Sequence, residues 1–141
     1  MKNSLFTLFI TVLFLGVSCR QQTAQKQTNP VSASNDIEVY YFHMTTRCST
    51  CRAIEAEARK NVEMLYPGEF NSGKISFTAL NIEEDAGKFL GDQYGINGQT
   101  LLIVKGDRKI NITKEAFLYA EGKPDKFKSI IKEKIDTLLI N

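Results

Sequence analysis

One histidine, His43, and three cysteines, Cys19, Cys48 and Cys51, are the only His and Cys side chains in this chain of 141 residues. A strong zinc pattern sets one C-x-x-C against a second, or against an H-x-x-x-H, roughly 12–20 residues away. That second half is missing, which excludes a closed four-ligand site of this type. Basic and acidic residues nearly cancel, 18 against 16. The strongly basic surface of a nucleic-acid-binding domain is therefore absent. Lys123, Lys126, Lys128, Lys132 and Lys134 gather near the C-terminus and read as a solvated helix face rather than a binding patch. No glycine pattern of a flavin or nicotinamide phosphate loop occurs, so no cofactor is expected. There are no internal repeats. The longest apolar run, Leu5 to Leu15, is broken by Thr7 and Thr11 and is too short to cross a bilayer as a mature helix.

That run has the form of a secretory leader. Lys2 is a minimal basic start, and Gly16-Val17-Ser18 are small or modest residues before Cys19. Residues 1–18 are expected to be a signal peptide. Leu15-Gly16-Val17-Ser18-Cys19 resembles a bacterial lipobox, with Gly16 where a branched apolar residue is usual, and Cys19 is the expected lipidation site. Arg20 to Asn35 is rich in Gln, Thr, Ser and Asn. Residues 19–35 thus read as a lipidated cysteine and flexible tether. The expected location is a bacterial cell envelope, membrane-anchored and facing the periplasm or the outside. Lipidation of Cys19 leaves Cys48 and Cys51 as an even pair.

These two cysteines carry the most chemistry. Val39-Tyr40-Tyr41-Phe42 is an all-apolar stretch that reads as an interior strand. A polar turn follows, and then Cys51, Ile54, Ala58, Val62 and Leu65 recur at helical spacing. A C-x-x-C where a strand runs into a helix is a redox signature. One helical turn brings the Cα atoms within the roughly 4.4–6.8 Å that a disulfide needs. Cys48 would lie at the helix mouth, where unpaired N–H groups and the helix dipole favour a thiolate. Arg47 adds positive charge with the same effect. Cys48 is then the nucleophile and Cys51 the resolving thiol. A static disulfide and capture of a soft metal or metalloid are the alternative readings of the same pair.

The rest of the domain, residues 36–141, reads as β-α-β-α-β-β-α. The first strand is placed at Glu38–His43 and the first helix at Ser49–Tyr66, ended by Pro67-Gly68. Ile75–Asn81 is the second strand. Glu83, Glu84 and Asp85 open a helix bearing Phe89, Leu90 and Tyr94, which ends near Gly95. Thr100–Val104 is a continuous apolar strand, and Lys109–Thr113 is its hairpin partner across Gly106-Asp107. A loop containing Gly122 leads to Pro124 at the start of the last helix. Phe127, Ile130, Ile131, Ile135 and Leu138 form that helix's core stripe. The expected fold is α/β, a mixed four-stranded sheet covered by helices.

In element order, length and motif position, Asp36 to Leu139 resembles the thioredoxin-like family. Arg47-Cys48-Ser49-Thr50-Cys51 stands where that family carries its redox disulfide. Leu80-Asn81-Ile82 and the run Thr100 to Asp107 resemble its second strand and its third strand with hairpin. More narrowly, the chain is similar to tethered thioredoxin-like proteins of Bacteroidota, some labelled as nitrophenyl-compound nitroreductase subunits. The resemblance has gaps. The family's cis-proline, which faces the dithiol and hinders metal access, is replaced by the stretch Gly98-Gln99-Thr100. A cis bond at a non-proline residue costs about 3–4 kcal/mol, so a trans loop is expected there, with Gln99 and Thr100 facing the dithiol. Phe42 stands where thioredoxins have a buried Asp, Arg47 where they have Trp, and Ser49-Thr50 where they have Gly-Pro.

The leading expectation is therefore a monomeric, extracytoplasmic thiol–disulfide oxidoreductase acting on protein thiols and disulfides of the cell envelope. It would touch the membrane through its lipid, and nucleic acid not at all. The second reading is a module that binds Cu(I) or an arsenical through Cys48 and Cys51, with His43 as a third ligand and Met44 close in sequence. The third is a non-catalytic scaffold that binds a partner.

Overall fold

A computed structural model describes residues 35–140 of the chain. The expected leader, Cys19 and nearly all of the tether lie outside these residues. The elements run β1 (Ile37–His43), α1 (Ser49–Leu65), α2 (Pro67–Asn71), β2 (Ile75–Asn81), α3 (Asp85–Tyr94), β3 (Thr100–Lys105), β4 (Arg108–Asn111), α4 (Thr113–Tyr119) and α5 (Pro124–Leu139). The four strands form one sheet in the order β2-β1-β3-β4. β2 runs parallel to β1, while β3 is antiparallel to both β1 and β4. This is the α/β, thioredoxin-like arrangement that the element order implies.

β1 lies at the sheet's centre, and its apolar run explains why. Residues 38–42 pair with β2 on one side and β3 on the other. Both faces of such a strand are covered, so alternation gives way to continuous hydrophobicity. Ile37, Val39 and Tyr41 point to the face packed by α1, α4 and α5, where Ile54, Ala58, Val62, Phe127, Ile131 and Ile135 complete the larger core. Tyr40 and Phe42 point to the other face, with Leu102 and Val104, under Leu90, Tyr94 and Ile96. Burial raises the phenol pKa values of both Tyr40 and Tyr41. The two rings therefore stay neutral and act as packing.

Four details depart from the sequence reading. α1 ends before Pro67-Gly68 as expected, but these two residues open a further one-turn helix, α2. The hairpin partner is shorter, because Asn111 Oδ1 accepts from the Thr113 backbone N–H and hydroxyl, at 3.0 and 2.6 Å, and turns the chain out of the strand. What reads as loop then forms α4, which buries Ala116. In α3 the buried positions are Gly87 and Gly91, while Phe89 is 53% exposed. At Gly87 the helix lies so close to Asn81, at the end of β2, that there is no room for a side chain, while Leu90 and Tyr94 pack over the sheet.

Tyr66 closes the far end of α1 onto α5. Its hydroxyl donates to Asp136 Oδ1 at 2.7 Å and lies 3.2 Å from the Lys132 carbonyl. Tyr66→Phe is expected to cost about 1.5 kcal/mol of unfolding free energy at neutral pH. The Lys132 ammonium first, and the Tyr66 hydroxyl second, hold the Asp136 carboxyl below its usual range. A depressed carboxylate stabilises the fold above its unfolded pKa, about 3.9, and that contribution disappears as pH falls through the folded value. The gap between wild type and Tyr66→Phe should thus narrow below about pH 4. Denaturant titrations at the two pH values check this.

Candidate dithiol site

The site is built at the end of β1, where the chain leaves the sheet and turns into α1. The loop is tied down from the β2–α3 turn. Ile82 N–H donates to the His43 carbonyl at 2.9 Å, and Asn81 Nδ2 reaches Thr45 Oγ1 at 2.9 Å. The Thr45 backbone N–H donates to Glu83 Oε2 at 2.7 Å, and the Thr45 side chain first, with this backbone bond second, lowers the Glu83 pKa. These contacts fix the approach to Cys48.

Cys48 is the N-cap of α1, in extended backbone geometry with φ −76° and ψ 172°. Its Sγ accepts from the Cys51 backbone N–H at 3.2 Å. A cap residue normally offers an oxygen here, and the sulfur takes that place. No acidic residue belongs to the first turn of α1 itself; the Glu121 carboxylate reaches that turn from the α4–α5 loop, through the Thr50 hydroxyl. Cys48 is exposed, whereas Cys51 is 3% exposed. The two are joined by a disulfide with Cα atoms 5.1 Å apart. One sulfur can meet a partner; the other is reached only through the first.

Gln99 lies against the buried sulfur. Its Nε2 is 3.3 Å and its Oε1 3.6 Å from Cys51 Sγ. A disulfide sulfur carries no proton, so the amide N–H donates here. After reduction the same side chain can donate to a thiolate or accept from a thiol. Phe42, where thioredoxins have an Asp, is fully buried and apolar. Thr100 is buried, and its hydroxyl donates to the Gly98 carbonyl at 3.2 Å. No peptide bond among the described residues is cis, so this loop reaches the dithiol through a glutamine side chain in trans geometry.

Arg47 is placed differently from a free cation beside Cys48. Its guanidinium pairs with Glu55 and lies 5.9 Å from the Tyr41 ring centroid. Its pull on a Cys48 thiolate is therefore reduced by the carboxylate it already serves. His43 directs Nδ1 to the Met44 carbonyl at 2.9 Å. Among the described residues no three His, Cys, Asp or Glu side chains are grouped to hold a metal ion. The Cys48, Cys51 and His43 ligand set is thus not assembled.

Several residues at the site carried no signal in the sequence. Glu55 answers Arg47, and Glu121 accepts from the Thr50 hydroxyl at 2.6 Å, tying the motif to the α4–α5 loop. These partners are eight and 71 positions away, outside any local periodicity.

No protein-family model matches the chain, and no curated protein matches it significantly. Among solved structures it is similar to a malarial protein at 18% identity, over 53% of this chain and 75% of that one, with TM-score 0.39. It is also similar to the thioredoxin of Fasciola hepatica at 16% identity, over 55% of this chain and 66% of that one, with TM-score 0.38. The fold rests on the strand order and the site on its own geometry, not on these likenesses.

Proposed function

We propose that this protein is an extracytoplasmic thiol–disulfide oxidoreductase, tethered to the cell envelope through Cys19 and acting on protein thiols and disulfides there. The observation that carries the reading is the asymmetric pair at the start of α1. An exposed Cys48 sulfur takes the cap hydrogen bond, and it is bonded to a buried Cys51.

In the reducing direction the Cys48 thiolate attacks one sulfur of a partner disulfide. A Cys48–partner disulfide forms, and the partner's other sulfur leaves as a thiolate and is protonated by water. Cys51 then gives its proton to water, with the Gln99 amide steadying the sulfur, and attacks Cys48. The intramolecular disulfide forms and the second partner thiolate departs. Two electrons pass to the partner, and the reverse sequence oxidises it. The Cys51 N–H and the end of α1 stabilise the thiolate of Cys48.

The reading predicts unequal cysteines in the reduced protein. The rate of alkylation by iodoacetamide, followed by mass spectrometry across pH, should give a Cys48 midpoint below the ordinary thiol value of about 8.5. Cys51 should react far more slowly. Equal rates for the two, with ordinary midpoints, would remove the case for a nucleophile and a resolving partner.

A further inference from the structure

A second polar feature adjoins the dithiol and is not consumed by the exchange chemistry. Arg47, Arg52, Glu55, Ala56 and Arg59 line an open cleft of about 260 Å³. Arg52, Glu55, Ala56 and Arg59 recur at helical spacing and so share one face of α1, and Arg47 joins them from the loop. Arg52 Nη1 donates to the Arg47 carbonyl at 2.8 Å, which fixes this end of the cleft to the backbone just before Cys48. At the other end the Arg59 guanidinium lies over the Phe77 ring of β2, 4.8 Å from its centroid.

The charges in this cleft do not balance. Three guanidiniums meet one carboxylate, Glu55, and Glu55 is already paired with Arg47. Arg59 is exposed, and its one described partner is the Phe77 ring. The exposed Arg52 and Arg59 guanidiniums are left to meet a further acid, and guanidinium N–H groups match carboxylates in a two-pronged geometry. Length argues for what supplies the carboxylate. Arg59 lies ten residues past the start of α1, roughly 15 Å along the helix axis. An extended chain spans about 3.3–3.6 Å per residue, so a substrate bonded to Cys48 reaches Arg59 with an acid roughly four or five residues away. A small thiol compound is too short to do both.

We propose that this cleft binds carboxylate side chains of the disulfide-bearing polypeptide, so that the protein selects acidic stretches flanking the exchanged cysteine. The proposal rests on the oxidoreductase reading of Cys48 and Cys51, and its test separates the two.

The reduced full chain is mixed with three peptide disulfides that differ only in the residues two to five positions from the cysteine, which are Glu, Gln or Lys. At low ionic strength the Glu peptide should exchange about tenfold faster than the Gln peptide, the scale of one charge-assisted pairing, and the Lys peptide slower than either. In about 1 M salt the three rates should converge. The double variant R52Q/R59Q, checked for an unchanged thermal transition, should lose the preference for Glu. A second arm measures binding of a cysteine-free Glu peptide by fluorescence anisotropy, with inorganic phosphate as competitor. Equal exchange of all three peptides at low salt would overturn the proposal and leave the oxidoreductase reading intact. Exchange with none of them would overturn the oxidoreductase reading instead, and the anisotropy arm would then decide the cleft alone. Phosphate binding as tightly as the peptide would make the cleft a small-anion site and also overturn the proposal.

Discussion

Replacing Cys51 with serine should turn the protein into a trap that accumulates in mixed disulfides with its partners. The exposed Cys48 sulfur would keep its cap hydrogen bond from the backbone N–H of residue 51, because that donor belongs to the main chain. Attack on a partner disulfide therefore proceeds. Release does not, because the sulfur that attacks Cys48 in the second displacement is gone and a serine hydroxyl cannot replace the attacking thiolate. Cys48→Ser should fail differently. The remaining thiol at Cys51 is 3% exposed, and burial disfavours its thiolate, so neither exchange nor mixed disulfides should be detectable. Non-reducing gels and mass spectrometry of covalent adducts from cells check both variants. Adducts of equal amount from the two, or none from Cys51→Ser, would contradict the assigned roles.

Gly87→Ala should cost more stability than alanine at Gly68, Gly91 or Gly98. A Cβ at that position would stand 1.9 Å from the Asn81 backbone oxygen and 2.4 Å from its carbonyl carbon. Neither atom is the end of a flexible side chain, so backbone must move. Overpacking of this kind typically costs about 1–3 kcal/mol, and with backbone as the obstacle the upper end, about 3 kcal/mol, is expected. The damage should also reach the dithiol loop. Asn81 holds Thr45 through its amide, and Glu83, two residues on, accepts the Thr45 N–H. Displacing α3 from this turn loosens the clamp on the approach to Cys48. Thermal unfolding should show the loss of stability, and amide exchange at Thr45 should speed up. An Ala variant as stable as wild type would mean that α3 does not approach β2 as described.

The parts of the fold that the sequence announced are those whose periodicity is long or whose burial is complete. β1 declared itself because both of its faces are covered, and α5 because Phe127, Ile130, Ile131, Ile135 and Leu138 repeat over 16 residues. α2 and α4 have five and seven residues, too few turns to impose a stripe. Phe89 looked like a core residue of α3. In fact Phe89 faces outward, while Leu90 and Tyr94 pack on the sheet and Gly87 allows the helix backbone to approach the end of β2 closely. At the site, Cys48 and Cys51 were legible from spacing, and Gln99 from the place where the family carries proline. The hydrogen bond that Gln99 makes to sulfur was not legible, since it joins residues 48 positions apart. Nor was the pairing of Arg47 with Glu55, which turns an apparent aid to the thiolate into part of a separate basic cleft.

The most direct test of the account is the equilibrium of the dithiol itself. The full chain, freed of metal, is incubated in dithiothreitol and glutathione buffers of graded potential, and the oxidised fraction of Cys48 and Cys51 is read by thiol trapping and mass spectrometry. The account predicts one two-electron transition with both cysteines changing together, and the midpoint assigns the direction in which partners are driven. A pair that stays reduced across the whole range, while binding Cu(I) or arsenite tightly in parallel, would contradict it.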